Sequence, residues 1–238
     1  MRASAKSSHE GVCYVTAIST WMKEERRDLE MNEYHEQYWG SFIKRISSKD
    51  EIKGKTVLDF GCGCGGFLRL LHDQRQFKDG VGIDIADKSL ETARSLVEKR
   101  PIEYLLAENA DKYKGKVDYA FSYEVIYLMQ NLAEHADFIS GFLKPGGVYY
   151  AATGCHTGNP QWFDWKKIIL NESVLPLKDY APDDFVTAFQ EKGFKVGVCR
   201  LNHTDFVSVV HKDYFPTVED ALRYYSDDIQ VFRFEKLK

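Results

Sequence analysis

Thr56-Val-Leu-Asp-Phe60, running without a break into Gly61-Cys-Gly-Cys-Gly-Gly66, is the stretch that decides how this chain folds. The first five residues read as a buried strand, and Phe67, Leu68, Leu70 and Leu71 mark a helix directly after the glycines. Gly61, Gly63 and Gly66 satisfy G-x-G-x-x-G, a weak signal by itself. Its physical content is a strand-to-helix turn too tight for side chains, in which backbone N–H groups can approach a ligand. Asp59, two residues before Gly61 and still on the strand, narrows the ligand. A carboxylate there suits an ammonium and a sulfonium charge and disfavours a pyrophosphate.

Downstream, short apolar runs alternate with helical segments, which predicts a mainly parallel sheet covered by helices. Gly80–Asp84 reads as a second strand. Asp87 is placed to cap the next helix, with Leu90, Ala93, Leu96 and Val97 on its inner face. Ile102–Leu106 and Val117–Ser122 read as strands three and four. A helix over 132–143 ends in Lys144-Pro-Gly-Gly147, a turn before strand five at Val148–Ala152. Asp183–Lys192 is a short helix stopped by Gly193. Phe194–Leu201 and Asp205–Val210, separated only by Asn202-His-Thr204, then predict an antiparallel hairpin. The expected fold is α/β, a seven-stranded, mostly parallel sheet with helices on both faces and a C-terminal antiparallel hairpin. Its expected parts are an N-terminal helical cap (1–50), a cofactor-binding core (51–153), an insertion or lid on the substrate side (154–182), a helix and hairpin completing the sheet (183–212) and a C-terminal extension (213–238). In that extension Val218, Ala221, Leu222 and Tyr225 share a helical face, followed by Val231-Phe-Arg-Phe234.

Composition narrows the function classes. With 36 acids against 32 bases the net charge is −4, a poor footprint for gripping a phosphate backbone. The five cysteines include no Cys-x-x-Cys, which argues against a zinc site or disulfide framework. The first ten residues lack the apolar segment of a secretory signal, and no run of about 18 apolar residues occurs. The expectation is a cytoplasmic protein without metal, nucleic-acid or membrane partner, acting as a monomer or homodimer on a small-molecule substrate.

Ligands of open α/β sheets sit outside the carboxyl ends of the strands. Asp84 ends the second strand, where it can accept both hydroxyls of a ribose. Glu108-Asn109-Ala110 follows the third, placed to meet an adenine edge. Ser122-Tyr-Glu124 ends the fourth, where the reactive end of the ligand would lie. Val57-Leu-Asp-Phe-Gly-Cys-Gly-Cys-Gly65, Val81-Gly-Ile-Asp-Ile85 and Leu143-Lys-Pro-Gly-Gly-Val148 together resemble the successive motifs of the class I S-adenosylmethionine-dependent methyltransferases, over roughly residues 52–212. The resemblance implies that Gly61, Gly63 and Gly65 form the loop under the methionine and ribose, and that Asp84 binds the ribose with Ile85 beside it. It also implies that Glu108 and Asn109 meet the adenine, Asp59 the methionine ammonium, and the backbone at Ser122 and Tyr123 the methyl group.

Methyl transfer is an in-line displacement from a sulfonium, so orientation carries much of the catalysis and no strict catalytic motif is required. The polar groups nearest the expected methyl position are Glu124, Tyr127 and His156, the last able to titrate as a general base. Tyr34, Tyr38 and Trp39 before the core, and Trp162 and Trp165 in the insertion, are candidate walls for an apolar or planar acceptor. No Asn/Asp-Pro-Pro-Tyr follows strand four, no Asp-Asn pair follows strand five, and no Tyr-x-x-x-Lys pair occurs. The reading is a methyltransferase acting on a small-molecule oxygen or nitrogen. Its alternatives are a protein or RNA methyltransferase, a non-catalytic module binding the same cofactor, and a nicotinamide oxidoreductase.

Overall fold

The computed structural model describes residues 17–208 and 214–238. Helix α1 (Glu25–Lys44) precedes a core of β1 (Thr56–Phe60), α2 (Gly66–Arg75), β2 (Asp79–Asp84), α3 (Asp87–Ser95), β3 (Ile102–Leu106), β4 (Val117–Tyr123), α4 (Leu132–Phe142) and β5 (Leu143–Thr153). Beyond it come α5 (Trp162–Glu172), α6 (Pro182–Glu191), β6 (Phe194–Arg200), α7 (Val218–Arg223) and β7 (Gln230–Lys236). Among the described residues the strands form one seven-stranded sheet in the order β3-β2-β1-β4-β5-β7-β6. Strands β1 to β5 run parallel to one another, and β7 lies antiparallel to both β5 and β6. The chain order reverses between β1 and β4, which opens a crevice at their carboxyl ends.

The central strands are apolar on both faces because helices cover both. Val57, Leu58, Val81, Ile83, Ala120 and Phe121 are all wholly buried. The expected turn at Lys144–Gly147 lies inside β5 rather than ahead of it. Leu143 already pairs with Val117, and the next pair is Val148 with Tyr119, so the Pro-Gly-Gly segment is an irregularity of the strand, with Gly146 at φ +78°.

The closing antiparallel pair is present, but its second strand is not Asp205–Val210. β6 pairs with Gln230–Lys236, from Phe194↔Lys236 to Arg200↔Gln230. That strand sits between β5 and β6 and must be apolar on both faces. Val231, Phe232 and Phe234 supply this, each at most 2% exposed, whereas Phe206 is 95% exposed. After β6, Asn202 takes φ +50° and the N–H groups of Asn202 and His203 donate to the carbonyls of Ser226 and Tyr225. The chain thus docks on the tail instead of turning back; Val209 and Val210 lie outside the described residues. The segment after 212 is therefore no appendage, since it provides an interior strand.

Two local expectations also change. Ala86, not Asp87, occupies the cap position of α3, and Leu96 is 46% exposed. The face expected for Val218, Ala221, Leu222 and Tyr225 is broken: Ala221 and Tyr225 are buried while Val218 and Leu222 are exposed. A π-helical turn follows over Tyr224–Asp228, in which Ile229 N–H donates to the Tyr224 carbonyl. Its wider winding buries the adjacent Tyr224 and Tyr225 together.

Candidate active site

A cavity of about 260 Å³ opens at the carboxyl ends of β1, β2 and β4. Asp59, Gly61, Gly63, Asp84, Ile85 and Ala107 line one end of it. Gly63 has φ +48° and no atom within 4 Å of where a Cβ would stand, so this peptide faces open space. At Gly65, with φ +74°, a Cβ would lie 2.5 Å from the Tyr104 ring, which explains the glycine there. Asp84 is held by backbone: its carboxylate accepts from the N–H of Gly63 (2.8 Å), Ile85 (2.7 Å) and Ala86 (2.9 Å). Asp59 is 3% exposed, and no described residue donates a hydrogen bond to it. Burial, aided by the nearby Asp84 charge, pushes its carboxyl well above the usual carboxylate range.

This end fits the nucleoside that the glycine-rich turn suggests. A buried carboxylate without a described donor awaits a cation, a second carboxylate is fixed at the end of β2, and an uncovered glycine peptide lies between them. The adenine side differs from expectation. Of the 3₁₀ turn Ala107–Asn109, only Ala107 lines the cavity; Glu108 and Asn109 are exposed, and Ala110 is buried in the core. Ser122 is also withdrawn, wholly buried and hydrogen-bonded to the Tyr149 hydroxyl at 2.6 Å, so Tyr123 alone of that pair reaches the cavity.

The other end is walled by rings, including Tyr34, Trp39, Tyr127, Trp165, Tyr224 and Tyr225. Glu124 stands at the junction in the left-handed region, φ +55°, a strained conformation for a residue with a Cβ. Its carboxylate accepts from the Thr153 hydroxyl (2.9 Å), the Gly154 N–H (2.9 Å) and the Tyr224 hydroxyl (2.8 Å). Burial raises its pKa, and these three donors oppose the rise. Tyr127 lies edge-on to Trp162, and burial lifts its phenol well above the ordinary value, which keeps it neutral.

Three expected residues stand elsewhere. His156 is 1% exposed and does not line the cavity; its Nε2 bonds the Asp228 carbonyl at 2.9 Å, which clamps the loop after β5 to the π-helical turn. One ring nitrogen thus joins two segments of the chain, away from the cavity. Trp162 is wholly buried, with its indole N–H donating to Asp179. Tyr38 is stacked on Tyr225 at 3.6 Å, behind the wall rather than on it.

Other residues come into view only in three dimensions. His35 lines the cavity, sits edge-on to Tyr123 at 5.2 Å, and has no hydrogen bond to its ring from any described residue. Burial lowers its pKa to about 4, so it is a neutral base at physiological pH. In sequence it is simply the residue after Tyr34, with no motif to mark it. Tyr224 and Tyr225 were hidden by the π turn, and the Tyr225 hydroxyl donates to Tyr34 at 2.6 Å. A strap over residues 18–23 crosses the site: Ile18 exchanges hydrogen bonds with Ile85 and Asp87, while Lys23 and Val174 close its far end on Glu172 and Trp21. Trp21 and Met22 from this strap line the cavity.

A family model described as a methyltransferase domain matches residues 31–197. The chain belongs to that family. Among curated relatives, a ubiquinone biosynthesis O-methyltransferase of Caulobacter vibrioides is 30% identical over 127 residues, 50% of this chain and 48% of that protein. A tRNA U34 carboxymethyltransferase of Hahella chejuensis is 29% identical over 136 residues, 55% of this chain and 38% of that protein. The chain thus spans about half or less of the length of the curated relatives it matches. In three dimensions the chain is similar to a chain of the complex between the Haloferax volcanii Trm112 methyltransferase activator and a methyltransferase, with TM-score 0.76 and 21% identity over 90% of this chain and 95% of that one. A geranyl diphosphate methyltransferase solved with its cofactor gives TM-score 0.62 at 16% identity, covering 90% and 92%. The fold is the Rossmann-like class I fold, and S-adenosylmethionine is the cofactor of this methyltransferase family.

Proposed function

We propose that this methyltransferase acts on an oxygen or nitrogen of a small, planar or apolar acceptor. The observation that supports this most is the continuity of one cavity from the Gly63 turn into a chamber walled by tyrosine and tryptophan. Asp59 would hold the methionine ammonium, Asp84 the ribose hydroxyls, and the Gly61–Gly65 loop the span between them. When bound, S-adenosylmethionine supplies an electrophilic methyl group on a sulfonium, open to in-line displacement.

The chain's own residues would then orient the acceptor and receive its proton. The ring walls fix a planar body against rotation, which is where much of the rate enhancement of such reactions lies. His35, neutral and without a described partner, is placed to accept the proton of the attacking group. Tyr127 stays protonated and serves as a wall. Glu124, held by the Thr153, Gly154 and Tyr224 donors, shapes the junction. The strap over 18–23 would exclude water while the acceptor is in place.

The tRNA-modifying relative keeps a nucleic-acid substrate in view, but a chamber roofed by the strap suits a small molecule better. Thermal melting with S-adenosylmethionine, S-adenosylhomocysteine and NAD in parallel tests the cofactor end. A ligand at 100 times its Kd should add about 2.7 kcal/mol of stability. Stabilisation by NAD alone would reverse the assignment. Labelled-methyl transfer to a panel of small phenols and amines, against bulk tRNA and protein, tests the acceptor end; labelling of tRNA or protein alone would refute it.

A further inference from the structure

Helix α1 bears on the cofactor end of the cavity as well as on the acceptor end. Asn32, His35, Trp39 and Phe42 recur along one side of it at helical spacing. Phe42 packs on Phe67 and Phe121, Trp39 on Phe67, and His35 on Tyr123. Phe121 is paired with Asp59 across β4 and β1, so both side chains point to the face of the sheet that α1 covers. Asn32, at the start of the row, reaches the first residue of α2: its Oδ1 lies 3.2 Å from where a Gly66 Cβ would stand. It lines the cavity, and no described residue hydrogen-bonds its side-chain amide. Helix α2 begins there without a side-chain cap and without an acid in its first turn. Its first N–H groups therefore favour an anion.

The amino-acid end of S-adenosylmethionine is a zwitterion. Asp59, only 3% exposed, suits its ammonium and repels its carboxylate, yet both charges hang on one carbon and must be housed together. The carboxylate needs donors at the same end of the cavity but on another wall. The start of α2 and the Asn32 amide supply that wall. Resting on the cofactor orientation given above, we propose that Asn32 donates its side-chain N–H to the cofactor's carboxylate at the N-terminus of α2. An amide carries donor and acceptor on one rotatable group, so its nitrogen can turn toward the anion. The same arrangement gives Gly66 its reason: a Cβ there would stand 2.4 Å from the Trp39 ring and press on Asn32.

The test is calorimetric titration with S-adenosylhomocysteine, its decarboxylated form, and methylthioadenosine, which lacks the amino-acid end altogether. The wild-type protein should bind S-adenosylhomocysteine about tenfold tighter than the decarboxylated form, the scale of one hydrogen bond to a charged group. Asn32→Ala should remove most of that preference and leave methylthioadenosine affinity unchanged, which also reports an intact fold. Asn32→Asp, nearly the same shape, should weaken S-adenosylhomocysteine about 30-fold and spare the decarboxylated form, since a bond is exchanged for a repulsion. Asn32→Asp binding S-adenosylhomocysteine as tightly as wild type, or tighter, would overturn the proposal, because the residue would then face the ammonium. Equal wild-type affinity for S-adenosylhomocysteine and its decarboxylated form would overturn it too, and that comparison needs no variant. If methylthioadenosine also binds equally, the placement of the amino-acid end beside Asp59 falls with it.

Discussion

The two ends of the cavity are built in opposite ways. At the cofactor end, Asp59, Gly63, Asp84 and Ala107 each sit at or just beyond the carboxyl end of a parallel strand, within about fifty residues of chain. At the acceptor end, Tyr34 and His35 come from α1, Glu124 from the turn after β4, Trp165 from α5, and Tyr224 and Tyr225 from the π-helical turn. The hydrogen bond joining Tyr225 to Tyr34 links residues 191 positions apart. One end is a property of a local turn repeated on a sheet. The other exists only once the whole chain has closed, so a single change there should alter chemistry without loosening the cofactor.

The sharpest way to break that contrast is His35→Gln. Turnover should fall about 100-fold, the scale of a lost general base, while S-adenosylhomocysteine affinity stays put. The wild-type pH profile carries the same claim. His35 titrates at about 4 in the folded protein because it is buried, so its neutral form persists as pH falls from 8 to 5 and is lost only on passing through about 4. A turnover limb near the ordinary histidine value would assign the base elsewhere.

A smaller effect, in the opposite half, is expected from Asp84→Ala. Cofactor affinity should drop about 30-fold, in keeping with charge-assisted hydrogen bonds, with circular dichroism showing the sheet intact. Equal affinity by calorimetry would remove Asp84 from the ribose role and blur the division between the ends.

The smallest effect on chemistry is expected from His156→Ala. Loss of the bond to the Asp228 carbonyl should cost about 1–2 kcal/mol of stability in denaturant melts, with turnover of the folded fraction changed less than about twofold. A large loss of turnover at unchanged stability would restore His156 to the chemistry.

Much of the cofactor end could be read from the chain alone. Asp59, Gly63 and Asp84 stand where the strand pattern put them, because period, burial and a side-chain-free turn are written locally. Glu108 and Asn109 were legible as residues after β3, but a 3₁₀ turn exposes them and offers Ala107 instead, and one residue of rotation leaves no trace in composition. The acceptor end was legible only as two groups of aromatic residues flanking the core. Tyr34, Trp39 and Trp165 do reach the cavity, yet Tyr38 and Trp162 lie behind it, and a helical stripe does not say which rings will face a ligand and which the core.

By itself, then, the sequence determined the alternating strands and helices, the glycine-rich turn, and the two carboxylates that flank it, since each depends on neighbours a few residues away. Tertiary structure alone decided that Gln230–Lys236 enters the sheet between β5 and β6, that a π turn brings Tyr224 and Tyr225 inward, and that His35 rather than His156 meets the cavity. The physical reason is that strand partners and cavity walls are chosen by which distant apolar surfaces bury each other best, a competition settled across the whole chain.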